Sequence, residues 1–255
     1  MRTAGFGLAL MLVLPAAFGG QTPVATPDEL VILIHGHGRT GRSMERLGDR
    51  LTEAGYSVLN FEYASRRKPF DALVDDLDRA VQACCADRRE RIHFVTYSLG
   101  GILVRGYLAG RASGYQGRVV MLSPPNHGSE VVDVLGDWPL VRAWLGPTGR
   151  RLGTAPDSIP NQLGPPEFEL GIITGTRSIA PLGSALIPGD DDGRVSIASA
   201  SLDGARDFMT VPRTHTFIMN SADVARQCVH FLRHGSFARD VAATDAAQPA
   251  LTDPG

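Results

Sequence analysis

"HFVTYSLGGILVR", residues 93–105, sets a lone serine between two patterns. The run 93–96 reads as a strand buried on both faces, and a helical pattern begins just after Ser98. Gly100 and Gly101 sit at that junction. Ser98 is therefore either a loop residue that ends a strand or a nucleophile held at a tight turn. The second reading makes demands on the rest of the chain. A serine hydroxyl is a poor nucleophile at neutral pH and needs a base within hydrogen-bond reach, with a third group to orient that base. It also needs donors aimed at the oxyanion formed on attack. A strand-to-helix elbow exposes the hydroxyl at a sheet edge and puts the next amide, that of Leu99, at a helix N-terminus. Here the elbow reads Thr96-Tyr97-Ser98-Leu99-Gly100, the G-x-S-x-G pattern with threonine at its first glycine. Such triplets occur by chance, so the flanking elements decide.

Those elements alternate. Apolar runs at 30–34, 56–61, 91–96, 119–122, 169–174 and 208–211 predict strands. Helical spacing covers 43–54, 70–86, 99–109 and 224–231, with Ser43 as a candidate N-cap and Gly55 as the stop. Strand, helix, strand, helix implies a mostly parallel sheet of about six strands with helices on both faces. Two segments break the rhythm. Residues 128–166 hold both tryptophans, Trp138 and Trp144, in one or two short amphipathic helices, which suits a small cap. Residues 177–204 form a Gly/Ser/Asp-rich loop.

Three further stretches supply partners for Ser98. "VILIHGHG", 31–38, is a buried strand running into a glycine-rich turn. "PGDDDGRVSIAS", 188–199, follows the fifth strand and offers Asp190, Asp191 and Asp192. Asp192 is favoured over Asp191 because it precedes Gly193 and Val195, where the loop turns back to the core. "VPRTHTFIMN", 211–220, puts His215 between the last strand and the last helix. His93 and His127 precede the last strand, and His230 and His234 lie on or after the last helix.

With "HGHGRT", "TYSLGG", "PPNHGS", "DDGRVS" and "HTFIM" in this order, the chain resembles the α/β-hydrolase superfamily, and within it the bacterial lipase/esterase-like group. The resemblance spans roughly 29–235. It implies Ser98 as nucleophile, His215 as base and Asp192 as orienting acid, in the chain order that this architecture uses. It implies the backbone amides of His37 and Leu99 as the oxyanion hole. Tyr97, His127, Trp138 and Trp144 are the expected substrate-lining residues, with Ser129 near them. The implied reaction is cleavage of a small-molecule or lipid ester through an acyl-enzyme, with contact to a lipid surface and with no metal or cofactor. An acyltransferase, a thioesterase and a non-catalytic binding protein of the same fold stay open, because the fold alone does not choose among them.

Composition agrees with a globular domain: 43% apolar, 20% charged, net charge −2. Nothing global points to nucleic acid. Arg2, the apolar run 6–14, Pro15 and the small residues of 16–20 read as a signal peptide over 1–19, hence as export to a periplasm or beyond. The expected domain is 29–237, after a linker at 20–28 and before a tail, 238–255, without periodicity. Cys84 and Cys85 are expected not to bond each other, because adjacency strains the peptide between them. The resemblance also places the helices carrying Cys84 and Cys228 on opposite faces, so no bridge is expected between those two.

Overall fold

The computed structural model describes residues 29–85, 91–111 and 115–239. The leader and linker expected over 1–28, and residues 240–255 of the expected tail, lie outside the described residues. Six strands form one wholly parallel sheet: β1 (Leu30–Ile34), β2 (Ser57–Phe61), β3 (Ile92–Tyr97), β4 (Arg118–Leu122), β5 (Glu169–Gly175) and β6 (Asp207–Val211). Their order is β2-β1-β3-β4-β5-β6. Each falls within a residue or two of its predicted run.

The side chains of the strands alternate between two cores, as a period of two requires. Leu30, Ile32, Ile34, Phe94, Val119 and Met121 face α2 (Phe70–Cys85) and α3 (Leu99–Leu108). Val31, Leu33, Val95, Val120, Leu122 and Ile173 face α1 (Glu45–Glu53) and the closing helix, α9 (Ala222–His234). A sheet covered on both faces needs continuous apolar strands, which is why 30–34 carries no polar residue. The helix predicted over 43–54 starts as a 3-10 turn, Gly41–Met44. Ser43 caps nothing there, and its hydroxyl donates to the Thr40 carbonyl at 2.7 Å.

The insertion holds α4 (Glu130–Leu135), α5 (Pro139–Gly149) and α6 (Ile159–Gln162). It is anchored as well as laid across the sheet edge. Leu152 and Ile159 are buried in the α2/α3 core. The buried guanidinium of Arg105, on α3, holds both ends of the segment through the carbonyls of Asn126, Leu163 and Gly164. Burial lowers its pKa to about 10. Gly146 kinks α5 at φ +62, and a Cβ there would lie 2.0 Å from the Arg66 carbonyl oxygen. The loop predicted over 177–204 contains two short helices, α7 (Pro181–Ser184) and α8 (Ile197–Ala200).

One expectation is overturned. Cys84 and Cys85 are joined to each other by a disulfide. They are the last two described residues of α2. Cys228 is a free, buried thiol in the core of the other face, so the two helices do lie on opposite faces.

Candidate active site

Strand order locates the crevice. From β1 the chain moves outward to β2, then returns past β1 to β3. The loops leaving β1 and β3 therefore diverge, and the gap between them at the C-terminal ends of the strands is where ligands enter open α/β sheets. Ser98 stands at that edge with φ 53 and ψ −122, a backbone conformation that side-chain-bearing residues seldom adopt. Its amide donates to the Leu122 carbonyl at 2.8 Å, so β4 helps to hold the turn. Gly100 makes the turn possible. A Cβ on it would lie 2.5 Å from the Ile34 carbonyl oxygen and 2.9 Å from that of His35. Thr96, at the unusual position in the elbow, is fully buried under the strand.

His215 opens a 3-10 turn, His215–Asn220, that follows β6. Its Nε2 lies 3.2 Å from Ser98 Oγ, and its Nδ1 lies 2.8 Å from Asp192 Oδ2. A carboxylate only accepts, so Nδ1 carries the hydrogen and Nε2 presents a lone pair to the serine hydroxyl. Backbone contacts hold the same pair: the His215 amide donates to the Asp192 carbonyl at 2.9 Å. Asp192 is 1% exposed, and its second oxygen accepts from the amides of Arg194 and Val195 at 3.1 and 3.0 Å. Burial pushes its pKa up, but the charge and hydrogen bond of His215, together with the Ser123 hydroxyl and the Val195 amide, outweigh that and hold it below the ordinary carboxylate range. Ser123, buried at φ 48 beyond β4, reaches Asp192 only outside strict hydrogen-bond geometry. Asp191 points elsewhere, accepting from Ser184 Oγ at 2.7 Å and the Gly193 amide at 2.6 Å. Asp190 is exposed.

The two amides expected as oxyanion donors belong to His37, in the loop after β1, and Leu99, the first residue of α3. Neither donates to another backbone carbonyl among the described residues. The imidazoles of the β1 loop serve its shape. The Tyr63 amide lies 3.4 Å from His35 Nε2, which leaves Nδ1 to donate to the Gly36 carbonyl at 2.9 Å. His37 Nε2 donates to the Leu145 carbonyl at 2.8 Å and ties the loop to α5. Burial lowers the pKa of both.

A cavity of about 250 Å³ opens on Ser98 and His215. Its apolar wall is Val131, Val132, Val141, Trp144, Leu145 and Leu152. Tyr97 lines it too, beside the His215 ring at 5.2 Å between centroids, and burial raises its pKa. The lining set expected from sequence needs correction. Tyr97, Trp144 and Ser129 line the cavity, whereas Trp138 and His127 do not. Trp138 is 63% exposed because it caps the start of α5 and not its inward face. His127 is exposed, its backbone bound by Ser199 and Asn161. Sequence reasoning missed Arg39 and Arg194, which also line the cavity. Among the described residues, no group of three or more His, Cys, Asp or Glu side chains is arranged to hold a metal ion.

Sheet order and elbow together define an α/β-hydrolase. More narrowly, residues 25–152, half of the chain, match the model of the hydrolase family described as serine aminopeptidase, S33, and the chain belongs to that family. The match includes the β1 loop and Ser98 and stops short of Asp192 and His215. No curated protein sequence matches the chain. Among solved structures, the mature lipase BlEst2 of Bacillus licheniformis is 18% identical, with a TM-score of 0.63 over 74% of this chain and 86% of that one. Phospholipase PlaB of Legionella pneumophila is 19% identical, with a TM-score of 0.64 over 79% of this chain, which spans 57% of that protein. A monoacylglycerol lipase of Paleococcus ferrophilus is 17% identical, with a TM-score of 0.52 over 81% and 95%. At such identities the likeness is one of fold.

Proposed function

We propose that the chain is an exported hydrolase that cleaves carboxylic esters through an acyl-enzyme. One observation carries this reading: a serine at a strained elbow, hydrogen-bonded in series to His215 and Asp192, at the mouth of an apolar-walled cavity. Ser98 Oγ attacks the acyl carbon while its proton passes to His215 Nε2. The amides of His37 and Leu99 take the oxyanion, and Asp192 stabilises the imidazolium. The bond to the alcohol breaks as His215 returns the proton to the leaving oxygen. Water then attacks the acyl-serine, giving its proton to His215, and the acid leaves with Ser98 restored.

The cavity favours an ester over a peptide N-terminus. Among the described residues no carboxylate side chain lines it, and a substrate ammonium would face Arg39 and Arg194 with no counter-charge there. Lipid-surface contact is supported by Trp138 and Leu140 of the cap, 63% and 87% exposed. Export rests on the signal-like sequence of 1–19. The test is a fluorophosphonate probe together with p-nitrophenyl esters of increasing acyl length. Ser98 should label, and Ser98→Ala should lower kcat/KM by about three orders of magnitude or more at an unchanged melting temperature. An unlabelled protein without ester turnover refutes catalysis. Cleavage of aminoacyl amides in preference to esters refutes the substrate class.

A further inference from the structure

We propose that Arg39 and Arg194 form an anion subsite beside Ser98, and that the preferred substrates are acyl esters carrying a phosphate or carboxylate close to the scissile bond. The inference rests on the ester-hydrolase reading and names the substrate class for it.

Both arginines line the cavity that holds Ser98 and His215. Arg39 ends the loop after β1, and Arg194 sits in the loop that carries Asp192. Their backbones are fixed while their side chains stay exposed. The Arg39 amide donates to the Gly36 carbonyl at 3.2 Å. The Arg194 amide donates to Asp192 Oδ1, and its carbonyl accepts from Ser129 Oγ at 3.1 Å. Among the described residues, neither guanidinium has a carboxylate within 4.0 Å. The Asp192 carboxylate is committed to His215 and to backbone amides.

The positive character continues outward. A groove next to the cavity is lined by Arg39, Arg66 and Arg67 with, among the described residues, a single acidic one, Glu62, and that carboxylate already accepts from the Gly41 amide. Arg66 lies over the Trp144 ring, 5.8 Å from its centroid, where the apolar wall meets the groove. The whole chain has a net charge of −2, so this excess of cations is local. Guanidinium forks suit planar or tetrahedral oxyanions, which they bind through paired N–H donors. A cavity that offers both apolar side chains and two arginines matches an amphiphile with one acyl chain and an anionic group.

The test compares esters with one acyl chain and different alcohols, each below its micelle concentration: 1-decanoylglycerol (neutral), its 3-phosphate, and the decanoyl ester of lactate (carboxylate). The expected result is a kcat/KM at least about tenfold higher for an anionic ester than for the neutral one, a ratio that shrinks as salt screens the arginines. Arg39→Gln and Arg194→Gln should each lower that ratio several-fold, and the double variant should bring it near one. Arg226→Gln, on the exposed side of α9, is the control and should leave the ratio alone. The larger gain identifies the anion, phosphate or carboxylate. An equal or higher rate on the neutral ester overturns the subsite, as does a ratio indifferent to both arginines, while turnover of 1-decanoylglycerol still upholds ester hydrolysis. If no ester turns over and Ser98 does not label, the ester reading itself has failed.

Discussion

Replacing Asp192 by asparagine changes one atom, and the structure says why that atom matters. The carboxylate accepts on both sides: Oδ1 from two backbone amides, Oδ2 from His215 Nδ1. Asparagine has one oxygen and one NH2. The two amides cannot donate to an NH2, so the oxygen must face them, which turns the NH2 toward His215. Nδ1 is then forced to accept, and the ring proton moves to Nε2. A protonated Nε2 faces Ser98 Oγ at 3.2 Å and cannot take its proton. The fold keeps its shape while the base is lost. The expected loss in kcat is about 10⁴-fold, or about 5.5 kcal/mol of barrier, as for an enforced wrong tautomer. Asp191→Asn is the internal control. Its oxygen can still accept from Ser184 and Gly193, so a loss under about tenfold is expected there. Steady-state ester hydrolysis, with a melting curve for each variant, decides the matter. An Asp191→Asn loss that equals or exceeds that of Asp192→Asn would refute the assignment, as would a folded Asp192→Asn enzyme with more than a tenth of wild-type kcat.

Other consequences follow from packing and burial. Trp144 lines the cavity and Trp138 does not, so Trp144→Ala should flatten the rise of kcat/KM with acyl length, at up to about 0.8 kcal/mol per methylene no longer buried. Trp138→Ala should leave the profile unchanged, and a flattened profile in that variant would return it to the wall. Gly100→Ala puts a Cβ against two backbone oxygens and should cost about 1–3 kcal/mol in a urea melt, along with most activity. Gly101→Ala meets side-chain atoms, Met121 Sδ at 3.1 Å, Pro124 Cβ at 3.2 Å and Met121 Cγ at 3.3 Å, and should cost less, and the opposite ranking would contradict the elbow. His93 is buried, and desolvation, with help from Arg91 and Arg118, lowers its pKa to about 3. Because its folded pKa lies below its unfolded one, the unfolded chain binds the extra proton, and stability falls as pH drops below about 6.5. From pH 7 to 5 that loss is about 2 kcal/mol, to which His35 and His37 add in the same direction. His93→Gln should remove its share, and an unchanged pH dependence would show that His93 is not held neutral.

Much of this was legible in the sequence because it is local. Strand runs, helix spacing and the Ser98 elbow depend on neighbours within a turn or two, and all six predicted strands appear within a residue or two of their runs. Chain order was enough to rank His215 above the other histidines, since only it lies between the last strand and the last helix. What the sequence could not decide depends on loops that meet across the sheet edge. Three adjacent aspartates look alike in a string, and only the hairpin of 190–197 turns Asp192 inward and Asp191 toward Ser184. Trp138 and Trp144 lie six residues apart, and the first, extended just ahead of α5, faces solvent while the second, within the helix, lines the cavity. Arg39 and Arg194 are separated by most of the chain, so nothing short of the tertiary fold could bring them to one cavity. The bond between Cys84 and Cys85 runs against the general rule about adjacent residues, which takes no account of the surrounding structure. Local periodicity determined the framework; convergence of distant loops, which no short window contains, decided which side chains share the site.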